Sequence, residues 1–167
     1  MEEAIVQIIP SGKTLGATIE GLDLSQPLSE SDVDQVVATL GRYGVVRFPK
    51  QTLTAAQQRA FSARFGELEI NVAGSFQEPG LPEVMILSNI VENGKPIGIG
   101  DAGQDWHTDM SYNRMIAFSN VLYGIRIPHR DGKPLGATTF CNMHAAYEAL
   151  PEDMKQRLDG MTVLHDF

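Results

Sequence analysis

The stretch "AGQDWHTDMSY", Ala102 to Tyr112, sets an imidazole and a carboxylate two residues apart at His107 and Asp109. On a strand, residues i and i+2 share a face, so both side chains would converge on one point while Thr108 points away. One neutral nitrogen and one carboxylate oxygen are two thirds of the facial triad that holds non-haem Fe(II) with open positions for reactants. The dipeptide pattern alone is more often what a surface loop gives when an Asp merely orients a His. Three neighbouring features favour a site. Trp106 stands directly before the pair and can wall it. The stretch "VENGKPIGIGDAGQD", with four Gly and a Pro, reads as a loop or lid edge that permits close approach of a ligand. The segment "ATTFCN" follows at a distance that lets a strand pair nearby.

The elements that must carry this pair read as follows. "AIVQIIP" and "LGATIEGLDL" are short strands. Ser31 is placed to cap a helix from Asp32 to Tyr43, with Val33, Val36, Val37 and Leu40 on one stripe. "GVVRFP" reads as a buried strand ended by Pro49. Thr54 caps a second helix that ends at Gly66, with Phe61 and Phe65 on its apolar face. "EVMILSNI", "SNVLYGIRIP", "ATTFCN" and "MTVLHDF" read as strands, "HRDGKPLG" as a turn, and "MHAAYEALPEDMKQRLDG" as two short helices split by Pro151. Early helices followed by strands with long insertions predict an α+β domain on a predominantly antiparallel sheet.

Composition bounds the function. The 167 residues suffice for one domain with a substantial core, and 43% hydrophobic with 20% charged content is ordinary for a soluble globular chain. A net charge of −8, from 21 acidic and 13 basic residues, repels phosphate backbones and argues against nucleic acid as a partner. No apolar run has the length of a membrane span. "MEEAIVQIIP" opens on two Glu rather than the basic region of a secretory signal. The single cysteine, Cys141, allows no intrachain disulfide and fits a reducing cytoplasm, where it reads as a small core residue. The methionines read as gap-filling core.

Several blocks together resemble one family. "WHTDMSY", then "LGATTF", "AAYEALP" and "HDF", in that order, are similar to the taurine dioxygenase family of Fe(II)- and 2-oxoglutarate-dependent dioxygenases. "RYGVVRFPKQTLTAAQQRAFSARFGELE" resembles the helix-strand-helix unit near that family's N-terminus. The resemblance implies a double-stranded β-helix, a cupin-like jelly roll flanked by N-terminal helices. It implies His107 and Asp109 as the first two iron ligands, and Thr138 as the residue that hydrogen-bonds a carboxylate of 2-oxoglutarate. The co-substrate and O2 would then oxidise a C–H bond of a small molecule, releasing succinate and CO2. Hard oxygen and imidazole donors suit Fe(II) for that chemistry.

The chain also departs from the family pattern. The usual Gly-Gly-Asp-Thr is here Leu135-Gly136-Ala137-Thr138. Asn71 stands where taurine-specific members carry a His that holds the sulfonate, and Gly103 stands where they carry a substrate-contacting Asn. Asn71, Gly103 and Trp106 are the substrate-side positions, and the first two argue against taurine. His129 in a polar turn and His144 on a helix read as surface residues, and His165 matches a position that is not an iron ligand. The family's third ligand, a second His, and its Arg for the far carboxylate of 2-oxoglutarate have no counterpart here. Residues 1–167 therefore read as one truncated dioxygenase domain, with about 100 further residues expected. A homo-oligomer, dimer or tetramer, is in keeping with the family. Two rival readings stand beside this one: a cupin-like metal-binding protein without oxygenase activity, and an inactive fragment that acts through protein contacts.

Overall fold

The computed structural model describes residues 5–12, 14–71 and 74–164. In chain order the elements are β1 (Gln7–Pro10), β2 (Ala17–Glu20), α1 (Glu30–Tyr43), β3 (Val46–Arg47), α2 (Ala55–Ser62) with a 3-10 turn at Ala63–Phe65, β4 (Gln77–Glu78), β5 (Leu81–Met85), β6 (Val91–Glu92), β7 (Lys95–Pro96), β8 (His129–Arg130), β9 (Lys133–Pro134), α3 (Met143–Glu148) and α4 (Glu152–Leu158). They fall into two compact units. One takes the chain up to Asp23, Ser29–Lys50 and Leu122–Leu164; the other takes Leu24–Leu28 and Gln51–Val121.

The first unit is built on the sheet β1-β2-β3. β1 and β2 are antiparallel, with Ile8 opposite Ile19, and β3 joins β2 in parallel, with Ala17 opposite Val46. The central strand is the most buried part of the chain, Ala17 and Ile19 being 1% exposed. The parallel step needs a crossover, and α1 supplies it. Its cap is Ser29 rather than the expected Ser31. Ser29 Oγ accepts from the Asp32 N–H, and the Asp32 side chain accepts from the Ser29 N–H, a reciprocal capping box. The buried stripe is Val33, Val36 and Thr39, while Val37 is exposed and Leu40 half-buried. Thr39 tolerates burial because its hydroxyl donates to the Gln35 carbonyl at 2.6 Å.

Later parts of the chain depart from the expected strands. Residues 119–128 and 137–142 lie outside any regular element, and Leu122, Ile125 and Phe140 are 68%, 87% and 55% exposed. An alternating apolar pattern forms a strand only against a neighbouring strand, and among the described residues no strand pairing includes these. Cys141, expected in the core, is exposed for the same reason. Met115, Met143 and Met161 are likewise exposed, leaving Met110 as a buried methionine. The turn between them is a true hairpin, β8 with β9, closed by Asp131 (φ 50°) and Gly132 (φ 74°). That positive pair is what a two-residue type I′ turn needs. α3 is capped by the Asn142 side chain, α4 starts after Pro151, and residues 161–164 are irregular rather than a strand. His165 and the rest of "HDF" lie outside the described residues.

The second unit hangs on α2. Thr54 caps it as expected, in a box with Gln57. Phe61 is buried and meets Phe65 edge-on, ring centroids 5.0 Å apart. Arg59 Nη2 donates to Glu83 Oε1 at 2.9 Å, tying α2 to β5, which pairs antiparallel with β4. The expected loop from Val91 begins instead as the hairpin β6-β7, turned by Asn93 (φ 49°) and Gly94 (φ 76°). The chain then bridges back, Ser88 donating to Ile99 and Ile99 to Ile86, both at 3.0 Å. From Asp101 to Thr108 the backbone has no regular structure, as expected of the approach to His107.

Candidate metal centre

His107 and Asp109 converge although no strand carries them. Residues 106–108 are irregular, and a tight turn begins at Asp109. Met110 makes that turn. It sits in the left-handed region, φ 58°, with its side chain 9% exposed. A non-glycine residue holds that conformation only where its surroundings over-determine it. Here the Met110 carbonyl accepts from the Asn113 N–H at 3.0 Å, and Tyr112 Oη donates to its sulfur at 3.3 Å. Ser111 Oγ closes the turn from inside by donating to the Thr108 carbonyl at 3.2 Å. Asn113 Nδ2 donates to Glu69 Oε2 at 3.2 Å and fixes the far end.

The turn brings His107 Nε2 to 3.1 Å from Asp109 Oδ1. The outer atom of each group is also engaged. His107 Nδ1 lies 2.7 Å from the Asp105 carbonyl, which can only accept, so Nδ1 carries a proton. In the neutral ring Nε2 then holds the lone pair, the tautomer a metal-binding histidine needs. Asn120 Nδ2 donates to Asp109 Oδ2 at 2.6 Å. The Asp105 carbonyl, and then the Asp109 carboxylate, hold the His107 pKa above its ordinary value by favouring the charged ring. About half of each side chain is exposed, so both can be reached from solvent.

The pair fits a single cation. Donors at about 2.1 Å from a metal and at right angles to each other lie about 3.0 Å apart. The 3.1 Å between Nε2 and Oδ1 matches that edge in length. Among the described residues no cluster of three His, Cys, Asp or Glu side chains forms, so the candidate site holds these two groups. His129 lies on β8 with Nδ1 3.0 Å from the Ile127 carbonyl, and His144 lies on α3.

The other expected positions are distributed. Gly103 (φ 74°) faces the imidazole, since a Cβ built there would stand 3.5 Å from His107 Cε1. Trp106 is 72% exposed beside it. Asn71 belongs to the same unit, half-buried, its carbonyl accepting from Gly74 at 3.2 Å. Thr138 belongs to the other unit, exposed and outside any regular element. The Asp105 carbonyl, Met110 and Asn120 escaped the sequence reading. Met110 could not have been found, since its conformation has no sequence signature, and Asn120 lies eleven residues from its partner.

A family model described as "Taurine catabolism dioxygenase TauD, TfdA family" matches residues 7–167. The pentalenolactone F synthase of Streptomyces avermitilis is 31% identical over 157 residues, 92% of this chain and 50% of that protein. The alpha-ketoglutarate-dependent 2,4-dichlorophenoxyacetate dioxygenase of Cupriavidus pinatubonensis is 31% identical over 166 residues, 93% of this chain and 56% of that protein. The chain thus spans about half the length of the curated relatives it matches. A crystal structure of a taurine dioxygenase from Burkholderia xenovorans is 42% identical over 46% of this chain and 28% of that one, with a TM-score of 0.42.

Proposed function

Since the chain belongs to the taurine catabolism dioxygenase TauD, TfdA family, we propose that it forms the first part of an Fe(II)- and 2-oxoglutarate-dependent dioxygenase. The enzyme oxidises a C–H bond of a small molecule other than taurine and releases succinate and CO2. The observation that carries this reading is the 3.1 Å approach of His107 Nε2 to Asp109 Oδ1, inside the segment that matches the family.

The residues divide the work. His107 and Asp109 hold the metal, which when bound supplies the activation of O2. The Asp105 carbonyl keeps the imidazole in its donor tautomer. Thr138 hydrogen-bonds a carboxylate of 2-oxoglutarate. Trp106 walls the substrate side, and Gly103 leaves the imidazole open where a Cβ would stand 3.5 Å from His107 Cε1. Asn71 lines the same side and offers an amide where a charge-bearing ring would suit a sulfonate. The third metal donor and the cation for the far carboxylate come from polypeptide outside these 167 residues, which completes the jelly roll and covers the exposed apolar side chains of 122–164. The enzyme works in the cytoplasm, as a dimer or tetramer.

The test is a substrate screen on the natural full-length polypeptide, loaded with Fe(II) and 2-oxoglutarate without oxygen and then exposed to it. 2,4-Dichlorophenoxyacetate belongs in the panel because one relative is named for it, and taurine serves as the negative. Succinate formed in step with O2 uptake, for a substrate other than taurine, is the expected result. Metal binding with no succinate from any co-substrate would leave a metal-binding protein without oxygenase activity. Turnover of taurine would remove the argument from Asn71 and Gly103.

A further inference from the structure

We infer that Asn120 is a positioning residue that keeps Asp109 in a one-oxygen metal-binding pose. The inference rests on His107 and Asp109 being metal donors, as proposed above. Asn120 Nδ2 stands 2.6 Å from Asp109 Oδ2, while Oδ1 of the same carboxylate faces His107 Nε2 at 3.1 Å. The two carboxylate oxygens are therefore assigned different partners before any cation arrives. The orientation of the Asn120 amide follows from charge: its oxygen would repel a carboxylate, so the N–H side must face Oδ2.

This matters because an aspartate can bind a metal through one oxygen or both. A facial site works only if positions stay open for the reactants, and a second aspartate oxygen would take one of them. The amide N–H competes for Oδ2 and keeps that oxygen out of the coordination shell. It also restrains the rotation of the carboxyl group, so less ordering is left to be done on metal binding. Asp109 lies about half exposed, where water alone would leave the group free to turn. Asn120 is suited to the task in a second way. It is neutral, so it steadies the carboxylate without competing for the metal's charge, as an Arg or Lys would. Each donor thus has one outer tether, the Asp105 carbonyl for His107 and the Asn120 amide for Asp109. Partners of this kind are worth about 10–100-fold in metal affinity.

The test compares the natural full-length polypeptide with its Asn120→Leu and Asn120→Gln variants, using Co(II) alone as the probe. Three quantities are read: the Co(II) dissociation constant, the visible absorption of the bound Co(II), and the melting temperature of the metal-free protein. Asn120→Leu keeps the size and removes the donor. It should bind Co(II) about 10–100-fold more weakly, with an absorption band altered in shape and intensity as the second oxygen enters the shell, and with the metal-free melting temperature unmoved. Asn120→Gln keeps the N–H and should recover most of the affinity and the parent spectrum. If Asn120→Leu does not fold, Asn120→Ala makes the same comparison. A donorless variant within twofold of the parent and with the same spectrum overturns the inference and leaves the metal centre standing. A parent protein that binds no Co(II) overturns the metal reading itself.

Discussion

At the residue scale, the proposed chemistry rests on two side chains and a turn. The types and spacing of His107 and Asp109 singled them out in the sequence, and the two side chains do meet, 3.1 Å apart. The strand geometry used to reach that expectation is replaced by the left-handed turn at Met110, which delivers the same convergence by another route. What the sequence could not display is the pair of tethers. A hydrogen bond to the Asp105 carbonyl, or to an amide eleven residues on, is set by the path of the folded chain and not by residue type. His107→Ala should abolish Co(II) or Fe(II) binding while moving the metal-free melting temperature by no more than a degree or two, because the ring is about half exposed and removal leaves no cavity. Calorimetric metal titration beside thermal denaturation reads both. A large loss of stability would make His107 a structural residue instead.

At the scale of elements, local signals were read well and non-local ones poorly. Both N-terminal helices and both C-terminal ones exist, since caps, Pro151 and the apolar stripe act within a few residues. The cap of α1 was misplaced by two residues because Ser29 and Ser31 are the same residue type, each with an Asp three residues on, and only the folded chain selects the Ser29–Asp32 box. Ser29→Ala should therefore cost about 1 kcal/mol in a urea unfolding curve, and Ser31→Ala should cost a few tenths of a kcal/mol at most. Equal costs would contradict the capping box. The Asn93-Gly94 turn carried the strongest short-range hairpin signal and was absorbed into a supposed loop by its glycine-rich context. Strands expected at 119–128 and 137–142 had the right pattern, but among the described residues no strand pairing includes them. Between α2 and β5 the Arg59–Glu83 pair adds a pH dependence. The hydrogen bond from Arg59 holds the Glu83 pKa below its ordinary value. A lowered carboxylate stabilises the fold above its unfolded pKa, and that contribution fades as pH falls through the folded value. Glu83→Gln should lose stability at neutral pH and show a shallower acid-side decline than the parent. Urea midpoints at neutral and acid pH measure it; parallel declines would remove the pair from the account.

At the scale of the molecule, family membership and chain length act together. Residues 7–167 match the family, yet the chain spans about half of each curated relative it matches. The proposed centre has two donors among the described residues, and Leu122, Ile125, Phe140, Val163 and Leu164 are exposed; the proposal that further chain supplies a third donor and a covering layer answers both. Among the described residues no helix is long and apolar enough to cross a membrane, so these side chains do not form a helical span. The central claim is that one metal ion sits between His107 and Asp109. Anomalous scattering at the iron edge, from crystals of the natural full-length polypeptide grown with Fe(II) under nitrogen, tests it directly. The account predicts a single peak at about 2.0–2.2 Å from both His107 Nε2 and Asp109 Oδ1. A peak elsewhere, or none with the two side chains still 3.1 Å apart, would contradict it.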